Sequence, residues 1–381
     1  MPANDIAIYK SMDLFSGCGG MTLGFSMVGV NSIFATDIDE NCEKTFKFNF
    51  PNTPFLRKDI TEITKEEVDV IIGDNKPDII IGGPPCQGFS LANKNRNKVS
   101  DDPRNKLFYG FVKFIDWYSP KCFVMENVKG LLSMQKGEVL STILDAFRNA
   151  SIGYDVDYKV LKAVDYGVPQ TRERVIIIGY RKDLNIKPAF PKPTCNTPVT
   201  VAEAIMDLPP LKSGEDWNDK PYTNPPSGWF QEYVRRYSEA VYNHAAMRHS
   251  KRLVERFSHI NQGENLGDVA PEFGAVKRGN PSEKSSVVFK QNNQRLIANH
   301  PAPTIAASFQ SNFIHPYQNR NLTAREGARL QSFPDWFVFK GMRTKMSWEK
   351  GLSQYQQIGN AVPVLLAQAV AEEVVKNLKT K

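Results

Sequence analysis

The chain has 381 residues and a hydrophobic fraction of 41%, which predict a globular protein with more than one domain. Its formal net charge of +7 suits a polyanionic partner without selecting one. The five cysteines contain no Cys-x-x-Cys pair, and no apolar run approaches the roughly 20 residues of a membrane helix, so we expect no metal, no membrane segment and a cytoplasmic location.

The first half of the chain alternates strand-like and helix-like segments. A strand ending at 12–15 leads through closely spaced glycines into a helix, and the next strand, 33–36, closes at Asp37. This pattern is typical of doubly wound nucleotide-binding domains, in which the glycines admit a ligand to the helix N-terminus and the acid binds ribose hydroxyls. The glycine spacing departs from the dinucleotide fingerprint, so taken alone it identifies no particular cofactor.

The segment 82–90, GGPPCQGFS, places Cys86 directly after the apolar run 78–81. In open α/β sheets the loops that follow the strands carry the chemistry. A thiol at this position can be a nucleophile, a metal ligand or a buried side chain without chemical function. The glycines, prolines and polar residues around Cys86 favour a nucleophile.

Two later strands add an acid and a guanidinium group. The apolar run 122–125 is followed by Glu126, which is either an exposed loop charge or a site acid directed at the same crevice as Cys86. A third strand, 175–179, is preceded by QTRER, and an extended backbone would place Arg172 and Arg174 on one face. A thiol, a carboxylic acid and a guanidinium together can attack and polarise a heteroaromatic ring.

The composition changes near residue 187, where prolines become frequent and remain so to about residue 226. This change predicts a hinge into a smaller, loop-rich domain. A basic helix is expected over 233–257, and it is either a solvated face or a surface that contacts phosphates. A long apolar helix is expected over 362–375.

Six short blocks of this chain occur in the order typical of one enzyme family. They are 13–20 (DLFSGCGG), 84–87 (PPCQ), 126–128 (ENV), 170–174 (QTRER), 321–334 (NLTAREGARLQSFP) and 357–363 (QIGNAVP). On these blocks the chain resembles the DNA (cytosine-5)-methyltransferases of bacterial restriction-modification systems. The stretch from about 190 to 310 lies outside the blocks, as a variable target-recognition segment would.

The resemblance implies an α/β fold with a doubly wound, mostly parallel sheet, the S-adenosylmethionine-dependent methyltransferase fold, together with a smaller, loop-rich target-recognition domain. The implied catalytic and cofactor-binding domain is discontinuous and comprises 1–190 and 354–381. The implied target-recognition domain, which reads the DNA, comprises 191–353.

The resemblance also implies an activity: transfer of a methyl group from S-adenosylmethionine to carbon 5 of a cytosine flipped out of double-stranded DNA. Cys86 would add to carbon 6, Glu126 would hold the ring nitrogen and amine, and Arg174 would contact the ring carbonyl, with Arg172 beside it. The implied DNA contacts are Gln87, Ser90, Arg248, Lys251 and Arg252. The implied cofactor contacts are Phe15, Gly17, Gly19, Asp37, Ile38, Asp59, Ile60, Pro85, Leu107, Asn360, Ala361 and Val362. Asp37 and Ile38 depart from the glutamate and aromatic residue that the family commonly has there.

We expect a monomer whose partner is double-stranded DNA, and which protects host DNA beside a cognate restriction endonuclease without forming a stable complex with it. A tRNA cytosine-5 methyltransferase remains an alternative with the same catalytic residues. A catalytically silent DNA-binding protein is a second alternative, against which the joint presence of Cys86, Glu126 and Arg174 argues.

Overall fold

The structure is a computed structural model that describes residues 9–85, 106–274, 276–277, 280–284, 292–345 and 348–380. The strands are β1 Tyr9–Leu14, β2 Val30–Asp37, β3 Phe55–Arg57, β4 Ile79–Gly82, β5 Cys122–Val128, β6 Tyr154–Lys162, β7 Glu173–Arg181, β8 Val276–Lys277, β9 Asn280–Lys284, β10 Gln294–Arg295 and β11 Phe313–Ile314. The helices are α1 Gly20–Ser26, α2 Glu40–Asn49, α3 Lys65–Ile72, α4 Lys106–Tyr118, α5 Glu138–Asn149, α6 Val201–Ile205, α7 Trp229–Arg235, α8 Lys251–Ser258, α9 Phe309–Asn312, α10 Ala324–Leu330, α11 Gln354–Asn360 and α12 Val364–Lys379.

Seven strands form the main sheet in the order β3-β2-β1-β4-β5-β7-β6. The pairs from β3 to β5 are parallel, whereas β7 runs antiparallel to both β5 and β6. The predicted doubly wound, mostly parallel sheet is therefore confirmed. All four residues of β4 are buried, which explains their continuous apolar run, because central strands of such sheets are covered on both faces.

The chain divides into two compact units. Unit 1 comprises Met1–Tyr166, Glu173–Thr194 and Ala361–Lys381, and unit 2 comprises Gly167–Arg172 and Cys195–Asn360. These bounds differ from the predicted domains, since the short segment Gly167–Arg172 belongs to unit 2 and the last boundary falls after Asn360. The sequence alone did not reveal that a single segment enters unit 2 before β7.

The main core of unit 1 lies between the sheet and helices α4 and α5. Phe108 and Phe111 of α4 and Phe123 of β5 all pack against Phe147 of α5, with ring centroids 4.2–5.9 Å apart. Offset and edge-to-face aromatic contacts of this kind add to the free energy of burial. They hold β5, the strand that carries Glu126, against α4 and α5.

One stretch of the described chain, Gln354–Lys379, is long and apolar enough to pass for a membrane span by length and composition alone. Within its most apolar window, 67% is buried inside the protein. Pro363 separates α11 from α12, and α12 packs against α1, where a Cβ atom on Gly24 would lie 2.5 Å from that of Ala367. The apolar character of α12 is therefore that of a core helix, and the expected run over 362–375 begins at Val364.

Unit 2 contains a buried network of ion pairs centred on α10. Arg329 binds both Asp335, at 2.6 Å, and Asp207, while Arg320 binds Glu326 at 2.6 Å. Its partner Arg320 holds the pKa of the Glu326 carboxyl below its usual range although burial opposes this. Removing one member of such a network leaves an uncompensated buried charge, which strongly destabilises the fold.

The basic helix predicted over 233–257 is wrong. The helix α7 ends at Arg235 and α8 begins only at Lys251, after Ser250, whose hydroxyl caps it by accepting a hydrogen bond from the Leu253 N–H. Between the two helices the chain is held by tertiary bonds, among them those of the buried His244 side chain to the Pro209 carbonyl and the Thr323 hydroxyl. These contacts outweigh local helix propensity.

A buried carboxyl joins β1 to α1 beneath the glycine turn. The Thr22 hydroxyl donates a hydrogen bond to Asp13, whose side chain is 1% exposed. Burial raises the pKa of Asp13 to about 7. Since an unfolded aspartic acid has a pKa of about 3.9, the folded state binds this proton more tightly than the unfolded state between pH 4 and 7.

Asp13→Asn should therefore become progressively more stable, relative to the parent, as the pH rises from 4 to 7. The parent loses at most about 1.4 kcal/mol of stability per pH unit over this range, because its carboxyl ionises in the unfolded state but stays protonated in the folded state, and asparagine has no such proton. The difference in unfolding free energy should level off above pH 7. Urea denaturation of both proteins at unit pH steps measures it, and a difference that does not change with pH would contradict the assignment.

Candidate active site

Glu126 and Arg174 form an ion pair at the edge of the sheet where the parallel strands end. The Nε atom of Arg174 lies 2.6 Å from Oε1 of Glu126, and the two side chains are 12% and 13% exposed. In the register of β5 with β7, Val128 is opposite Arg174 and Glu126 is opposite Ile176. Side chains two residues apart on a strand share a face, so this register brings Glu126 and Arg174 together diagonally.

Glu126 lies within β5, whereas the sequence suggested that the strand stops just before it. The main chain of Glu126 is therefore held by pairing with β7, opposite Ile176. A carboxylate carried by a paired strand is positioned more rigidly than one carried by a loop.

The loop after β4 is tied to the same strand. The Asn127 side-chain amide donates a hydrogen bond of 2.8 Å to the Pro84 carbonyl. A Cβ atom on Gly83 would lie 3.1 Å from Oε2 of Glu126, so glycine leaves room for the carboxylate. Pro85 is exposed, and the next residues assigned from the sequence, Cys86, Gln87 and Ser90, lie outside the described part of the chain.

Sequence reasoning did not identify the contact made by Asn127. The only signal was its place beside Glu126 in the ENV block. The partner is a backbone carbonyl more than 40 residues earlier in the chain, and side-chain identity alone does not reveal such a partner.

The Arg172 side chain binds backbone carbonyls of unit 2. Its guanidinium donates hydrogen bonds to the carbonyls of Ile305, at 2.8 Å, and Gly359, at 3.1 Å, within unit 2. Arg172 lies directly before β7, which begins at Glu173, and the shared face of Arg172 and Arg174 stays a prediction. The buried Arg172 connects two backbone segments of unit 2.

The turn between β1 and α1 has the geometry of a ligand-binding loop. Phe15, Gly17 and Gly19 all have positive φ, at 57°, 52° and 96°. The Gly17 N–H donates to Oδ2 of Asp37 at 2.9 Å, and Oδ1 of Asp37 accepts from the Asp39 N–H at 2.9 Å. A Cβ atom on Gly17 would meet nothing within 4 Å, so open space borders the turn.

Asp37 is the acidic residue that is hydrogen-bonded to this turn. Burial raises the pKa of its carboxyl, while the backbone N–H groups that it accepts from oppose the shift. The adjacent Ile38 side chain is 65% exposed. An acceptor carboxylate next to an exposed apolar side chain and open space fits the sugar and base of a nucleoside, since it offers hydrogen bonds to hydroxyls and a face for a ring.

The loop after β3 contributes Asp59 and Ile60. Oδ1 of Asp59 accepts from both the N–H and the hydroxyl of Thr61, at 2.9 and 2.8 Å. The Ile60 side chain is 4% exposed and belongs to the core, so only its backbone could face a ligand. Leu107 on α4 is half-buried against the same core.

The remaining residues assigned to the cofactor flank the chain position at which unit 2 ends and the last segment of unit 1 begins. Asn360 is exposed and is the last residue of unit 2, whereas Ala361 and Val362 belong to unit 1 and are half-buried. They lead directly into α12, which packs against α1.

The three cations assigned to DNA are exposed on unit 2. Arg248 precedes α8, and Lys251 and Arg252 form its first turn. Within the described ranges, the side chains of these three residues have no ion-pair or hydrogen-bond partner, whereas Arg256 on the same helix donates to the carbonyls of Phe273 and Gly274. The predicted basic surface is thus formed by a loop and a short helix.

Comparison with known proteins agrees with this geometry. A sequence model of the C-5 cytosine-specific DNA methylase family matches residues 9–376. The chain is 49% identical over 370 residues to the type II methyltransferase M.DdeI of Desulfomicrobium norvegicum, covering 95% of this chain and 88% of the relative. It is 38% identical over 365 residues to the type II methyltransferase M1.HphI of Haemophilus parahaemolyticus, covering 96% and 86%.

Solved structures share the architecture. A prophage-encoded protein of E. coli, provisionally assigned as a DNA modification methyltransferase, has a TM-score of 0.76 at 27% identity over 97% of this chain and 99% of its own. The S. pombe Dnmt2 methyltransferase has a TM-score of 0.58 at 14% identity over 97% and 99%, a likeness that concerns the fold alone. On the match to nearly its whole length, this chain belongs to the C-5 cytosine-specific DNA methylase family and is a DNA cytosine-5 methyltransferase.

Proposed function

We propose that this methyltransferase modifies carbon 5 of one cytosine within a specific double-stranded DNA sequence, with S-adenosylmethionine as the methyl donor. The observation that carries the proposal is the Glu126–Arg174 ion pair, which lies beside the Pro84–Pro85 loop in a chain that matches the family over residues 9–376. The similarity to type II methyltransferases supports a role in protecting host DNA within a restriction-modification system.

The turn after β1 and the ends of β2 and β3 would hold the cofactor. The Asp37 carboxylate would accept hydrogen bonds from the ribose hydroxyls, and Ile38 would contact the adenine face. Phe15, Gly17 and Gly19 would line the rest of the cofactor. The site would be completed by Asp59, the Ile60 backbone, Pro85, Leu107 and 360–362. When bound, S-adenosylmethionine supplies an electrophilic methyl group on a sulfonium.

Cys86 would activate the cytosine by adding its thiolate to carbon 6, since carbon 5 of cytosine is otherwise a poor nucleophile. Glu126 would hold the ring nitrogen and the exocyclic amine while charge develops there, and Arg174 would contact the ring carbonyl. Asn127 supports this assignment, because its bond to the Pro84 carbonyl anchors the loop two residues before Cys86.

The target cytosine must leave the duplex, because a stacked base cannot reach these groups. Gln87 and Ser90 would contact DNA beside Cys86. We assign sequence reading to unit 2, with Arg248, Lys251 and Arg252 contacting phosphates, and catalysis to unit 1. The enzyme would act as a cytoplasmic monomer alongside a restriction endonuclease that forms no stable complex with it.

Expression in a host that lacks cytosine methylation, followed by bisulfite sequencing, tests the proposed function directly. The expected result is protected cytosines at one recurring position within one short double-stranded sequence. Modified tRNA with unmodified DNA would instead support the RNA alternative. Unmodified DNA and RNA, from a folded protein that binds DNA, would support the silent alternative.

Duplexes that carry 5-fluorocytosine at the identified position should form a denaturation-resistant adduct in the presence of S-adenosylmethionine, because fluorine cannot leave as a cation. Cys86→Ala should abolish the adduct, and Cys195→Ala, which changes a half-buried cysteine of unit 2, is the matched control. An adduct that persists in Cys86→Ala would remove Cys86 as the nucleophile.

Neutralising Arg248, Lys251 and Arg252 together to Gln should weaken binding to both specific and nonspecific duplexes. Each lost phosphate contact lowers the slope of log affinity against log salt by about 0.9, so three contacts predict a slope lower by about 2.7. Transfer within an already saturated complex should change little. Salt-titrated binding measures the slope.

The matched control neutralises Lys44, Lys47 and Lys376, three exposed lysines of unit 1, and removes the same net charge. If the two triple variants have the same slope, the effect belongs to net charge. In that case α8 and Arg248 form a solvated surface.

A further inference from the structure

Lys113 on α4 binds two carbonyls of the loop that follows β3. Its Nζ atom donates hydrogen bonds to the carbonyl of Ile60, at 3.0 Å, and to that of Ile63, at 2.9 Å. The two carbonyls belong to residues three apart, so one ammonium group links two points of the same loop. Hydrogen bonds from a charged donor are about twice as strong as those between neutral groups.

The same helix also holds the loop by a close side-chain contact. A Cβ atom on Gly110 would lie 2.7 Å from Cγ2 of Ile60, so only glycine permits the observed approach. Gly110 and Lys113 are one helical turn apart and lie on one side of α4. Ile60 is therefore held through its side chain by the helix surface and through its main chain by Lys113.

The surroundings of Lys113 restrict the movement of its ammonium group. Its Nζ atom lies 4.8 Å from the centroid of the Trp117 ring, in a cation–π arrangement. Burial lowers the pKa of Lys113, while the neighbouring Asp59 carboxylate favours its charged form. The aromatic ring and the two carbonyls together confine the ammonium group, whereas the ammonium group of an exposed lysine is mobile.

We propose that Lys113 is a positioning residue for the cofactor, because it fixes the loop that carries Asp59 and the Ile60 backbone in the conformation that binds S-adenosylmethionine. This inference rests on the proposed function, since it assumes that S-adenosylmethionine binds beside Asp59. Lys113 itself contacts the loop and not the ligand. Its loss should therefore weaken cofactor binding and leave the chemical step unchanged.

Lys113→Met, which keeps the aliphatic stem and removes the ammonium, is the decisive variant. We expect the Kd for S-adenosylmethionine and for S-adenosylhomocysteine, measured by calorimetry, to rise about 10-fold or more, since about 1.4 kcal/mol of lost preorganisation corresponds to that factor. KM for the cofactor should rise with Kd. The kcat at saturating cofactor and the Kd for DNA should stay within about twofold, because neither depends on this loop.

Lys113→Arg should recover most of the affinity, because a guanidinium also carries several donors and keeps the charge. Lys65→Met is the matched control. Lys65 is a partly exposed lysine of α3 that pairs with Asp69, and its loss should leave the cofactor Kd unchanged. Should Lys113→Met not fold, Lys113→Gln replaces it with the same expectation.

An unchanged cofactor Kd in Lys113→Met, or a fall in kcat without a change in Kd, would overturn the inference. A lower unfolding temperature with normal cofactor affinity would assign Lys113 a structural role alone. These outcomes differ from a failure of the proposed function, in which the unmodified protein itself would neither bind S-adenosylmethionine nor methylate DNA.

Discussion

The reversed direction of β7 is the constraint on which the arrangement of the active site depends. Because β7 runs antiparallel to β5, its first residues lie at the edge where the parallel strands end. A parallel strand in the same place would begin at the opposite edge, about 23 Å away for a seven-residue strand, and Arg174 could not reach Glu126. The ion pair and the catalytic assignment built on it follow from this single strand direction.

The same edge of the sheet carries the groups assigned to the cofactor. Asp37 ends β2 and Asp59 follows β3, while the positive-φ turn after β1 leaves open space beside Gly17. Ligands of open α/β sheets bind in the crevice outside the carboxyl ends of the strands. Burial of Asp13 next to this turn raises the pKa of its carboxyl. The folded state therefore loses stability as the pH rises towards 7.

Unit 2 is held together by different physical means. Its described helices, α6 to α11, are short, and its centre contains arginines of α10 and its flanks paired with carboxylates that are almost fully buried. Networks of this kind demand specific partners, which restricts the ways in which a loop-rich chain can pack. Among the residues that the structure describes, the exposed cations Arg248, Lys251 and Arg252 take no part in this network.

Much of unit 1 could be predicted from the sequence, since continuous apolar runs and glycine turns mark β1, β2, β4 and β5. The QTRER block singled out Arg174, which the structure pairs with Glu126. The block did not show which carbonyls Arg172 binds, because its partners lie far away in the sequence. The basic helix failed for a similar reason, since buried bonds of His244 hold the chain between α7 and α8 in another conformation.

The contacts of Asn127 and Lys113 were not predictable in the same way. Both side chains bind backbone carbonyls distant in sequence, and many polar residue types other than ionised Asp and Glu can supply such a donor. The sequence shows which residue carries a donor but not which carbonyl the fold brings to it. Positioning residues of this kind become visible only when the register and the helix packing are known.

The central claim, that Glu126 beside Arg174 activates the cytosine, is tested most directly by single-turnover methyl transfer in Glu126→Gln. The amide keeps the shape and loses the ionisable proton. With cofactor and DNA saturating, the rate should fall about 100-fold or more while the Kd for DNA changes little. Glu173→Gln, which alters the neighbouring acid of β7 paired with Lys129, should retain full activity. A Glu126→Gln enzyme as fast as the parent would contradict the account.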